Sequence, residues 1–240
     1  MSTAWIDELL QAGRQLRQID GGLLSALDAD DPGSPYDGRA AIYDRVVGSR
    51  LYNRLVWGSS PASYGAFAAT AAAVGGGHGP MLDVGCGSAV FTAAAYSTTD
   101  RPLVLVDSSL GMLARAAERL AARGSGRRPP VLIQADLFEL PFLPASFPTV
   151  ASFGMLHLFE DLAGTLDALK SQVSPGGSLH ATSLVGGTAV GRRALTLLHR
   201  TGQVSSPRTE AELAAAARHV LGPAASVSRE GSMAFLSWHS

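Results

Sequence analysis

The segment Met81-Leu82-Asp83-Val84-Gly85-Cys86-Gly87-Ser88-Ala89 constrains the fold more than any other part of the chain. A short apolar run carrying one aspartate and ending in two glycines spaced a residue apart reads as a buried strand that turns sharply into a helix. Gly85 and Gly87 can adopt positive φ and leave no side chain between the backbone and a ligand. The amides at the start of the following helix form a polar rim that leans positive. Asp83 can neutralise a ligand ammonium or orient the turn, and Cys86 lies inside the turn itself. A strand-to-helix turn without any ligand uses the same residues, so the glycine pair alone assigns no function.

From Pro80 onward the chain alternates short apolar runs with helical stretches, the pattern of a parallel sheet with crossover helices. The strands are expected at Met81–Val84, Leu103–Val106, Val131–Ile133, Val150–Phe153 and Ser178–Leu184. Helices are expected near Val90–Tyr96, Leu110–Arg123, Asp161–Val173, Val190–His199 and Glu210–Leu221. Ala225–Arg229 and Met233–Trp238 are separated only by Glu230-Gly231-Ser232, so they must pair antiparallel; a parallel pair needs a long crossover. These make a mostly parallel seven-stranded sheet ending in an antiparallel hairpin. Residues 1–79 read as helices and loops: an amphipathic helix up to Ile19, a Gly, Asp and Pro-rich break over Asp28–Gly38, and helical spacing over Ile42–Val56. A further helix covers Ala62–Val74, with Pro61 suited to its first turn. The expected division is 1–79 as a helical, substrate-facing lid and 80–240 as the core, together one structural domain.

Two further stretches carry chemistry. Val106-Asp107-Ser108-Ser109-Leu110-Gly111-Met112-Leu113 puts a carboxylate at the end of the next strand, about 20 residues beyond the glycine turn, where it can accept hydrogen bonds from both hydroxyls of an adenosine ribose. Asp107, Ser108 and Ser109 are equally suited to cap the following helix. A serine can do so while Asp107 faces a ribose. Gln134-Ala135-Asp136-Leu137-Phe138 places polar groups just past the third strand, where an adenine amino group can lie; Leu137, Phe138 and Met112 can sandwich the base. Read alone, that stretch is a polar loop with two core residues.

Together these residues resemble class I S-adenosylmethionine-dependent methyltransferases, in particular the small-molecule group with a helical N-terminal lid (methyltransferase types 11 and 25). Leu82–Ser88 resembles the glycine motif, Val106–Ser109 with Met112-Leu113 the acidic motif, and Ala135-Asp136 with Leu140-Pro141-Phe142 and Phe147 the adenine-side segment. Leu156-His157 with Asp161, and Leu169-Lys170 with Ser174–Leu179, resemble the exit of strand four and the turn before strand five. Ala89 stands where a third glycine is usual, Pro148 where an aspartate usually follows Phe147, and Ser109 where a proline is frequent. The resemblance implies an α/β Rossmann-like three-layer sandwich with S-adenosylmethionine as methyl donor and S-adenosylhomocysteine as product. It implies that Gly85 and Gly87 approach the methionine part, Asp107 the ribose, and Asp136 with Leu137 the adenine, with Phe153 and Gly154 lining the pocket by their backbone. The expected reaction is an in-line displacement at the methyl carbon by an O, N or C atom of a small metabolite.

His157, just after strand four, is a candidate general base, since a free imidazole titrates near pH 6.5; a histidine there is as often structural. Tyr36, Tyr43, Tyr52 and Trp57 lie in the expected lid, where aromatics can cover a sulfonium or shape a substrate pocket, or simply pack the lid onto the sheet. Tyr43, Tyr52 and Trp57 are the candidates for substrate contact. The formal net charge of -1, with no long basic run, points away from nucleic acid as a partner. Cys86 is the one cysteine, which rules out an intrachain disulfide or a cysteine-rich metal cluster. No metal is expected. The start of the chain lacks an apolar signal core, and Ala66–Val74 is too short to span a bilayer, so a cytoplasmic monomer or homodimer acting on a small molecule, without membrane contact, is the expectation. Two alternatives remain open at this point: a nicotinamide-dependent oxidoreductase, and a non-catalytic protein that keeps the fold and its ligand.

Overall fold

The computed structural model describes residues 4–28, 49–74, 78–124 and 128–240. Its centre is a nine-stranded sheet in the order β1-β2-β5-β4-β3-β6-β7-β9-β8. The strands are β1 (Arg17–Gln18), β2 (Leu24–Ser25), β3 (Met81–Val84), β4 (Leu103–Asp107), β5 (Val131–Gln134), β6 (Phe147–Ser152), β7 (Val173–Leu184), β8 (Ser226–Glu230) and β9 (Met233–His239). β2 through β7 pair parallel to one another, while β9 is antiparallel to both β7 and β8. The expected seven strands and terminal hairpin are therefore present. To them the N-terminal region adds two strands of two residues each, too short to leave any alternation in the sequence.

The helices are α1 (Ala4–Asp7), α2 (Arg50–Tyr52), α3 (Pro61–Ala73), α4 (Ala93–Tyr96), α5 (Leu110–Ala122), α6 (Leu162–Ser171), α7 (Ala189–Arg200) and α8 (Glu210–Leu221), with α2 running into a π turn over Asn53–Trp57. Because successive strand residues face opposite ways, two separate cores form. Leu82, Val84, Val104, Val106 and Ile133 pack with Leu166 and Leu169 of α6 and Leu213 and Ala217 of α8. Met81, Leu105, Leu132 and Ala151 pack on the other face with Tyr64 and Ala68 of α3, Tyr96 of α4 and Leu113 of α5. The result is a three-layer sandwich.

Three sequence expectations change. The helix expected up to Ile19 stops at Asp7. Its apolar residues still reach the core, with Ile6 buried and Trp5, Leu9, Leu10 and Leu16 packed around it. The backbone beyond Asp7, however, bonds to residues 141–143: Gln11 N–H donates to the Pro141 carbonyl at 2.9 Å and Leu143 N–H to the Leu9 carbonyl at 2.8 Å. A tertiary partner has displaced the helical one. The fourth strand begins earlier than expected, at Phe147, and its ladder breaks at Pro148, which has no N–H to give. Phe147 pairs with Val173 and Thr149 with Ser178, so residues 174–177 loop out of β7. The third change, a shortened helix after the glycine turn, belongs to the site.

α3 is fixed at both ends. Ser60 caps its N-terminus through the Ala62 amide, with Pro61 in the first turn as its fixed φ favours. Ser60 N–H itself donates to Glu230 Oε1 at 3.0 Å. At the other end the buried Arg101 guanidinium donates to the carbonyls of Ala71, Ala72 and Val74, and to Gly79, Pro80 and the Thr149 hydroxyl. Carbonyls at a helix C-terminus carry partial negative charge, which lets this cation be buried with no carboxylate against it among the described residues.

Candidate active site at the strand ends

β3 connects onward to β4 on one side of it, whereas β6 connects to β7 on the other, so the sheet order reverses between β3 and β6. In open α/β sheets that switch point leaves a crevice beyond the strand ends where ligands bind. Gly85 closes β3 with φ 70° and Gly154 follows β6 with φ 75°, both in the left-handed region that favours glycine.

The two glycines of the turn serve different ends. A Cβ on Gly85 would collide with the Met155 side chain, so a substitution there displaces that side chain from its packing against the turn. A Cβ on Gly87, at φ 53°, would meet nothing within 4 Å among the described residues. No described residue therefore fills the space above Gly87. Gly85 and Cys86 amides both donate to the Val106 carbonyl, at 2.8 and 3.0 Å, which ties the turn to β4. Ala89, where a third glycine was the usual residue, takes φ 54° and interrupts helical geometry. The helix expected from Val90 accordingly begins only at Ala93, and the amides that rim the crevice come from a turn.

Asp107 sits half-buried at the end of β4 and braces the turn. Its Oδ2 accepts from Gly87 N–H at 2.8 Å and its Oδ1 from Ser109 N–H at 2.9 Å. Ser109, fully buried, caps α5 through the Met112 amide, which leaves Asp107 free of that duty. Ser108 is exposed, and its carbonyl accepts from Gln134 Nε2, whose Oε1 in turn accepts from Ser25 of β2. Asp136 is exposed and caps the short turn Leu137–Glu139 through the Phe138 amide. Leu137 and Met112 are buried, while Phe138 is 54% exposed, edge-on to Phe159.

Asp83 lies wholly beneath the turn. Its Oδ2 accepts the Tyr96 hydroxyl at 2.7 Å, and its Oδ1 has no hydrogen-bond partner among the described residues. Burial pushes its pKa up to about 7; the Tyr96 bond opposes this and the Asp107 charge adds to it. Burial also pushes the Cys86 thiol up, reinforced by Asp107 and Asp83.

His157 is buried after β6. Burial, with the Arg208 charge adding, holds its pKa down at about 4. Its Nδ1 accepts the Leu184 amide proton at 3.3 Å, and its carbonyl accepts from Ser205 N–H and Oγ–H, each at 3.0 Å. Tyr43, like Tyr36, lies outside the described residues. Tyr52 and Trp57 meet edge to face, their centroids 6.1 Å apart, and the Trp57 carbonyl accepts Ser232 N–H of the β8–β9 turn at 2.6 Å. Both therefore gather at the hairpin, on the β7 side of the crevice.

Sequence reasoning missed Tyr64. It is buried in α3, with its ring 4.7 Å from Phe91 and 5.9 Å from Phe153 between centroids. Its hydroxyl is 3.0 Å from where a Cβ on Gly154 would stand. Within an alanine-rich helix nothing but the tyrosine itself marked the position.

The family model of the methyltransferase domain matches residues 82–181, from the body of β3 into β7. This segment is thus similar to the methyltransferase domain family. The match holds both glycines of the turn, Asp107, Asp136, Gly154 and His157. An uncharacterized protein of Synechococcus sp. is 37% identical over 101 residues, 42% of this chain and 24% of that protein. The chain thus spans about a quarter of the length of the curated relative that it matches. Among solved structures, phosphoethanolamine N-methyltransferase 2 of Haemonchus contortus, with phosphomonomethylethanolamine and S-adenosylhomocysteine bound, is similar with TM-score 0.59 at 21% identity. The likeness covers 80% of this chain and 43% of that one. An S-adenosylmethionine-dependent methyltransferase of Thermotoga maritima is similar at TM-score 0.56 and 15% identity, over 83% and 98% of the two chains. Geranyl diphosphate methyltransferase in complex with GPP and sinefungin gives 0.56 at 10% identity, over 73% and 75%. The matched segment and its flanks therefore share the α/β Rossmann-like fold of these methyltransferases.

Proposed function

We propose that the protein transfers a methyl group from S-adenosylmethionine to an O, N or C atom of a small molecule. The observation that carries this reading is the space over Gly87 that no described residue fills, beside the half-buried Asp107 carboxylate and at the reversal of strand order. A side chain at 87 would fill that cradle. The residues present fit the donor: Gly85, Cys86 and Gly87 form a bare-backbone seat for its methionine part, and Asp107 stands at the ribose position. A carboxylate offers about four acceptor sites, so Asp107 can brace two amides and still receive ribose hydroxyls. Ser108, Met112, Asp136 and Leu137 sit at the adenine side, and Phe153 and Gly154 at the methionine side.

When bound, the donor supplies a methyl group on a positively charged sulfur, ready for displacement by a nucleophile. The protein's share is then to align the two reactants and exclude water, which supplies much of the rate enhancement. His157 is a positioning residue in this reading. With Nδ1 accepting a backbone N–H, its proton sits on Nε2, so the ring offers a donor where a base needs a lone pair. It ties the exit of β6 to the end of β7.

Replacement of Asp107 by alanine tests the reading by calorimetric titration with S-adenosylmethionine. Loss of a charged hydrogen-bond acceptor costs about 1.5–3 kcal/mol, or about a ten- to 150-fold rise in Kd. Unchanged affinity in a variant that keeps its fold removes Asp107 from the site.

A further inference from the structure

We infer that Arg119 of α5 is a positioning residue for the cofactor seat: by donating to the Ser88 carbonyl it holds Ala89 in a left-handed conformation and so keeps the glycine turn in the shape that receives the donor. The inference rests on the methyltransferase reading above and adds to it a side chain from the far end of a neighbouring helix.

The turn places every second residue in the left-handed region: Gly85 at φ 70°, Gly87 at 53° and Ala89 at 54°. Glycine takes that region freely, whereas the Cβ of an alanine crowds the following carbonyl oxygen. A conformation of this kind persists where its surroundings over-determine it. Ala89 N–H donates to the Cys86 carbonyl at 3.1 Å, and the carbonyl of that same peptide, the Ser88 oxygen, accepts from Arg119 Nη1. The peptide joining residues 88 and 89 is thus held at both ends. On the other side of the Ala89 Cα, its own carbonyl accepts from Thr92 N–H at 3.2 Å and from Ala93 N–H at 2.9 Å, where α4 begins. With the units on either side fixed, Ala89 cannot relax out of the left-handed region. Ser88 follows directly on Gly87, so a turned 88–89 peptide would reshape the backbone that borders the seat. Asp107 holds the Gly87 amide from the strand end before α5, and Arg119 holds the next carbonyl from the last turns of that helix. A hydrogen bond from a guanidinium is stronger than one between neutral groups. A seat ordered in the folded protein spares the ligand the cost of ordering it, so the bond from Arg119 carries through the turn to affinity.

The test is a double-mutant cycle on the full chain, comprising the unaltered protein, Arg119→Met, Ala89→Gly and the double variant, each titrated calorimetrically with S-adenosylmethionine and S-adenosylhomocysteine at a temperature where it is folded. Methionine keeps much of the apolar stem and removes the guanidinium. If Arg119 acts by holding residue 89 left-handed, its removal matters where residue 89 is alanine and matters little where it is glycine. The expected result is about a tenfold weakening of both ligands by Arg119→Met in the protein with Ala89, and less than about threefold in the Ala89→Gly background. A weakening of the same size in both backgrounds assigns the arginine's effect to another contact and overturns the inference. So does an unchanged affinity in Arg119→Met; either outcome leaves the methyltransferase reading intact. Failure of the unaltered protein to bind either ligand overturns both.

Discussion

At the scale of single residues, the site depends on where each charge is allowed to exist. Asp83 is enclosed by the glycine turn and α4, and the groups that face it are the Tyr96 hydroxyl, Asp107 and the Cys86 thiol. Its folded pKa of about 7 lies above its ordinary value of 3.8, so the folded protein binds a proton that the unfolded chain has lost over the window between them. Stability from this group is full below pH 3.8 and is lost as pH rises to about 7. His157 and His180 run the other way. Each has a folded pKa of about 4 against 6.5, so their contribution is present above pH 6.5 and is lost as pH falls through 4. Because Asp83→Asn keeps both histidines, the comparison with wild type isolates the carboxyl. The variant should gain melting temperature relative to wild type as pH is raised from 5 to 8. A difference that stays constant over that range would show that Asp83 titrates normally. Asp83, Gly85, Gly87 and Asp107 were all readable in the sequence, because a strand end and a spacing define them. Tyr64 and Arg101 were not. Each acquires its role only from what the fold sets opposite it: Gly154 for one, the end of α3 for the other.

Among the elements, the β3 turn separates packing from binding. At Gly85 a methyl group would strike Met155, whereas at Gly87 it would meet none of the described residues. Gly87→Ala should therefore keep the fold, at a cost of about 1–2 kcal/mol for a left-handed alanine, and lose S-adenosylmethionine binding. Gly85→Ala should lose stability by more than that. Thermal melting with calorimetric titration distinguishes the two; equal effects of both substitutions on stability and binding would contradict the division of roles. The element boundaries show what a one-dimensional pattern can and cannot carry. β3, α5, α8 and the terminal hairpin appear nearly as the periodicity places them, since each satisfies its own backbone or pairs with a close neighbour. The N-terminal helix fails for the opposite reason. Its amphipathic spacing is met by the core, but residues 141–143, far away in sequence, take its backbone hydrogen bonds. The shortened α4 has a local cause, the left-handed Ala89.

On the scale of the whole molecule, the reversal of strand order, the open turn and the terminal hairpin converge on one crevice. α3 packs on one face of the sheet with Tyr64 of its first turn against Gly154, and the π turn before it docks on the hairpin through Trp57 and Ser232. The parallel sheet was legible from Pro80 onward because both of its faces are buried and its strands read as continuous apolar runs. The way residues 4–28 join the sheet edge was not, since strands of two residues leave no pattern to read. Nicotinamide-dependent oxidoreductases also bind at such switch points, so the identity of the ligand is the central claim. Isothermal titration of the purified protein with S-adenosylmethionine, S-adenosylhomocysteine and NAD(H) tests it most directly. Saturable binding of the first two, with no heat from NAD(H), is the predicted result; binding of NAD(H) alone, or of none of the three, would contradict the account.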